Sequence, residues 1–196
     1  MYLFFDTETN GLPRNHDAPI SDLGNWPRVV QLAWMMTDDT GKELSRGEFI
    51  VRPDGFEIPA AAAAIHGITT EIARRKGVPL RRALDPFHAS LQAAKLLVAH
   101  NFTFDQRVLA AEYFRLGQDH GIFMQTPYVC TMLGTTEFCR LPGGRGGFKW
   151  PKLTELHTKL FHTNYESAHD AMADVQACAK CFFELRRHGL FSERLA

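Results

Sequence analysis

Four carboxylates and a histidine stand where short elements of the chain should begin or end. Asp6 and Glu8 close the apolar run Tyr2-Leu-Phe-Phe5 and precede a glycine turn at Gly11; Asp105 closes His100-Asn-Phe-Thr-Phe-Asp105; His169 and Asp174 lie in Ser167-Ala-His169-Asp170-Ala-Met-Ala-Asp174. If residues 2–6 form a strand, its period of two puts Asp6 and Glu8 on one face at the strand's end. Two such anions repel unless a positive charge sits between them, and a hard divalent cation is the usual solution; an acidic turn on the surface is the other reading. Asp105 falls in the first turn of a predicted helix, where the helix dipole tolerates a carboxylate, with Asn101 or Thr103 as its cap. On one continuous helix, residues five apart diverge by about 140°. His169 and Asp174 therefore converge only if a helix begins between them, and Asp170 suits the N-cap.

Taken together, these residues bring oxygen ligands and one histidine from three separate segments. Oxygen ligands with an unligated histidine fit magnesium or manganese better than zinc. Two such ions about 3.5–4 Å apart stabilise both the attacking and the leaving oxygen of a phosphoryl displacement. A neutral imidazole can take the proton from the attacking water. The implied chemistry is metal-assisted phosphodiester hydrolysis.

The elements that must position these groups follow from the pattern. Residues 2–6 read as a first strand, and 13–27 as a long exposed loop rich in Asn, Asp, Gly and Pro. Residues 29–37 and 44–51, parted by Asp38-Asp-Thr-Gly41, read as a hairpin. Short helices are expected at 60–65 and after the cap candidate Thr69, and a longer one at 80–94. A buried strand at 96–99 leads to a helix at 104–116. A last strand at 127–130 precedes a helix to about Phe138. A glycine-rich basic loop covers 141–151, and helices near 152–161 and 171–187 follow. The predicted class is α/β, a mixed sheet flanked by helices on both faces, with the first and fourth strands as parallel neighbours. The polar ends of those two strands would meet at one edge of the sheet.

At 196 residues the chain suits a single domain spanning 1–196, and 45% hydrophobic with 22% charged residues is ordinary for a globular protein. Acidic and basic residues balance at 22 each, so global charge announces no nucleic-acid partner and excludes none. Residues 1–6 lack the pattern of a signal peptide, and no apolar run approaches bilayer length, so a cytoplasmic protein with no membrane association is expected. Cys130, Cys139, Cys178 and Cys181 should be reduced. Cys178-Ala-Lys-Cys181 falls inside a predicted helix, where residues three apart share a face, so packed thiols are expected over structural zinc.

Asp6-Thr-Glu8-Thr-Asn-Gly-Leu12, His100-Asn-Phe-Thr-Phe-Asp105 and His169-x-Ala-x-x-Asp174 resemble the three exonuclease motifs of the DnaQ-like (RNase T) superfamily, in its histidine-bearing DEDDh branch. Ala64-Ile-His66-Gly-Ile-Thr69, Cys130-Thr-Met-Leu and Lys152-Leu-Thr-Glu-Leu156 are similar to stretches of DNA polymerase III epsilon-type proofreading exonucleases. The resemblance spans nearly the whole chain. It implies an RNase H-like fold with a mixed five-stranded sheet, and 3′-5′ exonuclease activity with two Mg2+ or Mn2+ ions. It would make Asp6, Glu8 and Asp174 ligands of the ion that activates water. Asp6 would also touch a second ion supported by Asp105, and His169 would be the general base.

Substrate contacts implied by the family are Thr7 and Leu12 at the 3′-terminal nucleotide. Asn101, Phe102 and Phe104 surround the second motif, with stacking and core packing both open for the phenylalanines. His66 is open between a nucleotide contact and a structural role. Asn10, where threonine is commoner, is a conservative departure, and the 13–27 segment could border the substrate entrance. Arg145, Lys149 and Lys152 are candidates for phosphate contacts.

The leading expectation is an exonuclease of proofreading or repair type that acts on single-stranded DNA 3′ ends and releases nucleoside 5′-monophosphates. An RNA-trimming enzyme of the RNase T or oligoribonuclease kind would use the same chemistry. A catalytically silent nucleic-acid-binding module is disfavoured, because all five metal and base residues are present. Only about nine residues follow the last predicted helix, so no epsilon-like tail for a polymerase is expected, although a surface patch could still bind one.

Overall fold

Strand β1 (Tyr2–Thr9) is the pivot of the molecule, pairing antiparallel with β2 (Val29–Thr37) on one side and parallel with β4 (Leu96–Ala99) on the other. A computed structural model describes residues 1–165 and 168–191. The sheet runs β3-β2-β1-β4-β5, with β3 at Glu43–Ile50 and β5 at Tyr128–Cys130. Helices α1 (Ala60–His66), α2 (Thr70–Lys76) and α3 (Leu80–Ala93) connect the hairpin to β4, and α4 (Phe102–Arg115) with the short α5 (Ile122–Gln125) connects β4 to β5. Beyond β5 come α6 (Thr131–Gly134), α7 (Thr136–Cys139), a 3-10 turn at Gly144–Gly146, α8 (Leu153–Phe161) and α9 (Ala171–Arg187).

Alternation along β1 divides the core. Leu3 and Phe5 pack on one face with Leu84, Phe87 and Leu91 of α3 and Phe102, Val108 and Leu109 of α4. Tyr2 and Phe4 pack on the other with Leu156 of α8 and Val175, Cys178 and Phe182 of α9. Asp6 and Glu8 continue the second series, so they emerge on the face that carries α9. The mixed sheet, its parallel β1–β4 pair and its two helical faces agree with the sequence expectation.

Three local expectations change. The first strand extends through both carboxylates to Thr9 instead of ending at residue 6, because β2 continues to pair with it as far as Val29. The helix after β5 breaks at Thr135, leaving two short helices. The 13–27 segment is less exposed than its composition suggests: Trp26 is buried and its Nε1 donates to the Pro19 carbonyl at 3.0 Å. Arg115 donates to the Leu23 and Trp26 carbonyls at 2.9 and 2.7 Å. Buried Glu112 accepts from Arg28 at 2.9 Å and from the Val29 N–H at 3.0 Å, which pins the loop's exit to α4. A buried carboxylate without these cations would carry a heavy desolvation cost.

All four cysteines are free and buried. Burial pushes the Cys178 thiol well above its ordinary range and Cys181 up to about 12, so both stay protonated thiols in the α9 core. Among the described residues, no helix is long and apolar enough to cross a membrane.

Candidate active site

Parallel strands β1 and β4 pair only from Tyr2 to Phe4, against Leu96 to Val98. Past Phe4 the two chains part, β4 turning into α4 while β1 runs on beside β2. A crevice of this kind, at the carboxyl ends of parallel strands where the topology reverses, is where open α/β sheets hold ligands. Here it is a cleft of about 770 Å3, lined by Asp6, Glu8, Asp105, His169 and Asp174 among others. The five residues singled out for chemistry therefore meet in one place.

Each is held by its own local structure. Asp105 is buried in the first turn of α4, where its Oδ1 accepts from the Thr7 backbone N–H at 3.0 Å and the Thr7 hydroxyl at 2.6 Å. These bonds use the N–H that β1 no longer gives to a neighbouring strand, and they tie α4 to the edge of the crevice. Asp170 caps α9, its side chain accepting from the Ala173 N–H at 3.1 Å, as its position predicts. The helix thus starts after His169, whose backbone is left-handed at φ 71°. That turn brings the His169 N–H to Asp174 Oδ2 at 3.2 Å.

Two further residues complete the frame. Tyr165 donates its hydroxyl to Asp174 Oδ1 at 2.5 Å. Gln31, opposite Glu8 in the β1–β2 register, accepts from the Ala171 N–H at 3.3 Å and donates to Glu48 at 3.0 Å, which docks the start of α9 on the sheet. Tyr165 sits in a loop with no periodicity to mark it. Gln31 is a polar residue buried in an apolar strand, and that could have flagged it.

The electrostatics are those of crowded anions. Burial first, then Asp105, Asp174, Glu8 and Asp170, raise the Asp6 carboxyl well above the usual range. Burial and the charges of Asp174, Asp105 and Asp170 push Glu8 up to about 8. Burial carries Asp105 to about 7 against the opposing Thr7 hydrogen bonds. Asp174 is raised by burial, with Tyr165 and the His169 N–H pulling the other way. The charge of His169 also lowers Asp174, whereas the neighbouring charges that raise Asp6 and Glu8 are carboxylates. Glu8, His169 and Asp174 each offer a ligand atom within 4.8 Å of the other two. Oxygen-rich donors that repel one another fit a divalent metal ion.

The remaining predicted contacts divide. Thr7, Leu12, Asn101 and Phe104 line the cleft, and Leu12 is 76% exposed. Phe102 does not join them: it is fully buried, stacked on Tyr128 at 4.1 Å between ring centroids and edge-on to Phe5 at 5.6 Å. The helix begins at Phe102, two residues earlier than expected, and positions two apart diverge by about 200°, so only Phe104 turns to the cleft. Phe102→Ala should therefore cost about 3–5 kcal/mol of stability, read by denaturant unfolding. His66 lies outside the cleft lining at the end of α1, its Nδ1 accepting from the Ile68 N–H at 3.1 Å. Burial and, to a lesser extent, nearby His169 lower its pKa.

Asn101 holds the N-cap position of α4 in a left-handed conformation without a side-chain capping bond. Lys152 lines the cleft, whereas Lys149 is paired with Glu155 at 2.5 Å. The Arg145 side chain lies outside what the structure describes.

A mixed five-stranded sheet with acidic residues gathered at the carboxyl end of its central strand defines an RNase H-like nuclease fold. Escherichia coli exonuclease I, solved with a dA16 oligonucleotide, superposes with a TM-score of 0.75 at 23% identity, over 95% of this chain and 40% of that one. Exonuclease I from Methylocaldum szegediense gives 0.74 at 21%, with the same coverages. The chain thus spans about two fifths of these structures. Residues 3–182 match the RNase T family model, described as exonuclease, and the chain belongs to that family. An uncharacterized exonuclease, CP81, of Escherichia phage 186 is 29% identical over 177 residues, 89% of this chain and 82% of its own length. A DNA polymerase III subunit epsilon-like protein of Rhodobacter capsulatus is 29% identical over 187 residues, 94% of this chain but 23% of the relative.

Proposed function

We propose that the chain is a metal-dependent 3′-5′ exonuclease that removes nucleotides one at a time from single-stranded DNA as nucleoside 5′-monophosphates. The observation that carries this is the convergence of Asp6, Glu8, Asp105, His169 and Asp174 in one open cleft, where Asp6 and Glu8 are raised by their fellow carboxylates. Asp6, Glu8 and Asp174 would hold one Mg2+ or Mn2+, and Asp6 with Asp105 would support a second. When bound, the ions neutralise the phosphodiester and acidify the attacking water.

His169 takes the proton from the water as its oxygen attacks phosphorus, and the 3′ oxygen of the preceding nucleotide leaves. One 5′-monophosphate and a strand shorter by one nucleotide result. Thr7 and Asp105 brace each other, so the acid stays aimed as the substrate enters. Leu12, Asn101 and Phe104 stand on the cleft wall where the terminal nucleotide would lie. DNA is preferred over RNA on the strength of the relatives, since the E. coli exonuclease I neighbour was solved with a dA16 oligonucleotide and the R. capsulatus relative is named for a DNA polymerase subunit.

The test offers 5′-labelled single-stranded DNA and matching RNA with magnesium, then with chelator. A ladder shrinking from the 3′ end of DNA, and abolished by chelation, is expected. Degradation of RNA alone would transfer the same chemistry to an RNA-trimming enzyme. Degradation of neither, with cation binding intact, would sink the nuclease reading.

A further inference from the structure

Trp150 is the one tryptophan of the chain that faces solvent: it is 64% exposed, whereas Trp26 and Trp34 are buried. It stands on the wall of the cleft that holds the carboxylates, in company with Leu12, Phe104 and Lys152. An indole left in water at a concave acidic site has no folding rationale, since neither its ring nor its N–H is used by the core.

The backbone beside it is fixed. Pro151 is buried, and its carbonyl accepts from His100 Nε2 at 2.9 Å, while His100 Nδ1 meets the Thr131 hydroxyl at 3.0 Å. Burial lowers the His100 pKa to about 4, so the ring stays neutral at ordinary pH. With one N–H to give, it donates from Nε2 to Pro151 and accepts from Thr131 at Nδ1. Thr131 directly follows β5, so the chain around Trp150 is anchored to the sheet end that carries the site. A residue preceding proline is also restricted to extended backbone, which narrows the directions open to the indole. An exposed aromatic face beside an anchored backbone and next to a lysine is the pairing that single-strand-binding grooves use, bases stacking while cations meet phosphates.

Resting on the proposed exonuclease reading, we infer that Trp150, anchored through the Pro151–His100 bond, is a stacking platform for an unpaired base of the substrate strand. Lys152 meets an adjoining phosphate. The platform favours an unpaired strand because a base in a duplex has both faces covered by its neighbours. It also gives the enzyme a hold on the strand that does not depend on the metal ions.

The experiment follows tryptophan emission while a non-cleavable phosphorothioate dT oligonucleotide is added without divalent cation, with binding read independently by anisotropy of a 5′ label. Saturable quenching is expected. Trp150→Phe should bind nearly as well but lose the quenching, and Trp150→Ala should bind roughly tenfold more weakly. One abasic position moved along the oligonucleotide should, at a single site, reduce the wild type to the affinity of Trp150→Ala. Unchanged emission at saturation, or equal affinity of Trp150→Ala and wild type, overturns the platform. If DNA is still trimmed from its 3′ end in either case, the exonuclease reading survives alone. Absence of both binding and trimming overturns the two together.

Discussion

Asp6→Asn is expected to make the cation-free protein more stable and the cation-loaded protein inactive. Asp6 stands among Asp105, Asp174, Glu8 and Asp170, each of which raises its carboxyl. Removing its charge relieves repulsion of about 1–2 kcal/mol. For a chain of this size, that is a rise of about 2–6 °C in the thermal midpoint with chelator present at pH 8. Hydrolysis should fall by about 10²–10³-fold or more, because the proposed bridge between two ions is gone.

The same crowding sets a pH dependence for the cation-free wild type. Glu8 moves from 4.5 to about 8 on folding. Between those values the folded chain holds a proton that the unfolded chain has released. Its stabilisation is complete below about 4.5 and is lost as the pH climbs to about 8. Divalent cation should restore the loss at the alkaline end, by about 2.7 kcal/mol at a hundredfold excess over the dissociation constant. A lower midpoint for Asp6→Asn in chelator, or an undiminished response of that variant to cation, would count against the assignment.

His169→Asn is expected to lower turnover by about 10²–10⁴-fold while leaving cation affinity nearly unchanged. Asparagine is the informative replacement because position 169 has φ 71°, a conformation that asparagine adopts more readily than most residues. The backbone turn that delivers the His169 N–H to Asp174 is then preserved, and only the imidazole is lost. Turnover by single-nucleotide release and affinity by calorimetry separate the two roles. The ring offers a nitrogen within 4.8 Å of oxygens from Glu8 and Asp174, close enough for ligation as well as for proton transfer. Parallel loss of affinity and turnover would identify a ligand; loss of turnover alone, a base.

The residues that positioned themselves by periodicity were legible in the sequence. Leu96–Ala99 reads as a buried strand and is one, Ala171–Arg187 reads as a helix, and Asp170 caps it. The caps mattered most for the site, because only a helix start between His169 and Asp174 lets both face the same point. What stayed hidden depends on tertiary surroundings. Phe102 and Phe104 are the same residue type two positions apart, and one is core while the other is cleft wall. That difference is set by where α4 begins, a boundary that apolar spacing leaves loose by two residues. Tyr165 and Trp150 belong to irregular segments, where no period announces a direction. The 13–27 segment looked exposed because its polar residues outnumber its anchors, yet Trp26 and the Arg115–carbonyl bonds pack it down.

The order of the site's parts along the chain has a consequence for how the protein comes into being. Glu8 lies on β1, and α9, which docks on the same stretch of sheet through Gln31, begins 140 residues beyond that glutamine. Such a distant closure is slow relative to hairpin and helix formation. A chain emerging from the ribosome will have made its sheet and most of its core before Asp174 or His169 exists. The nascent protein therefore passes through most of its assembly with three of its four cleft carboxylates, Asp6, Glu8 and Asp105, in place and without His169 beside them. On the proposed mechanism, its capacity to cut nucleic acid arrives only with the final helix.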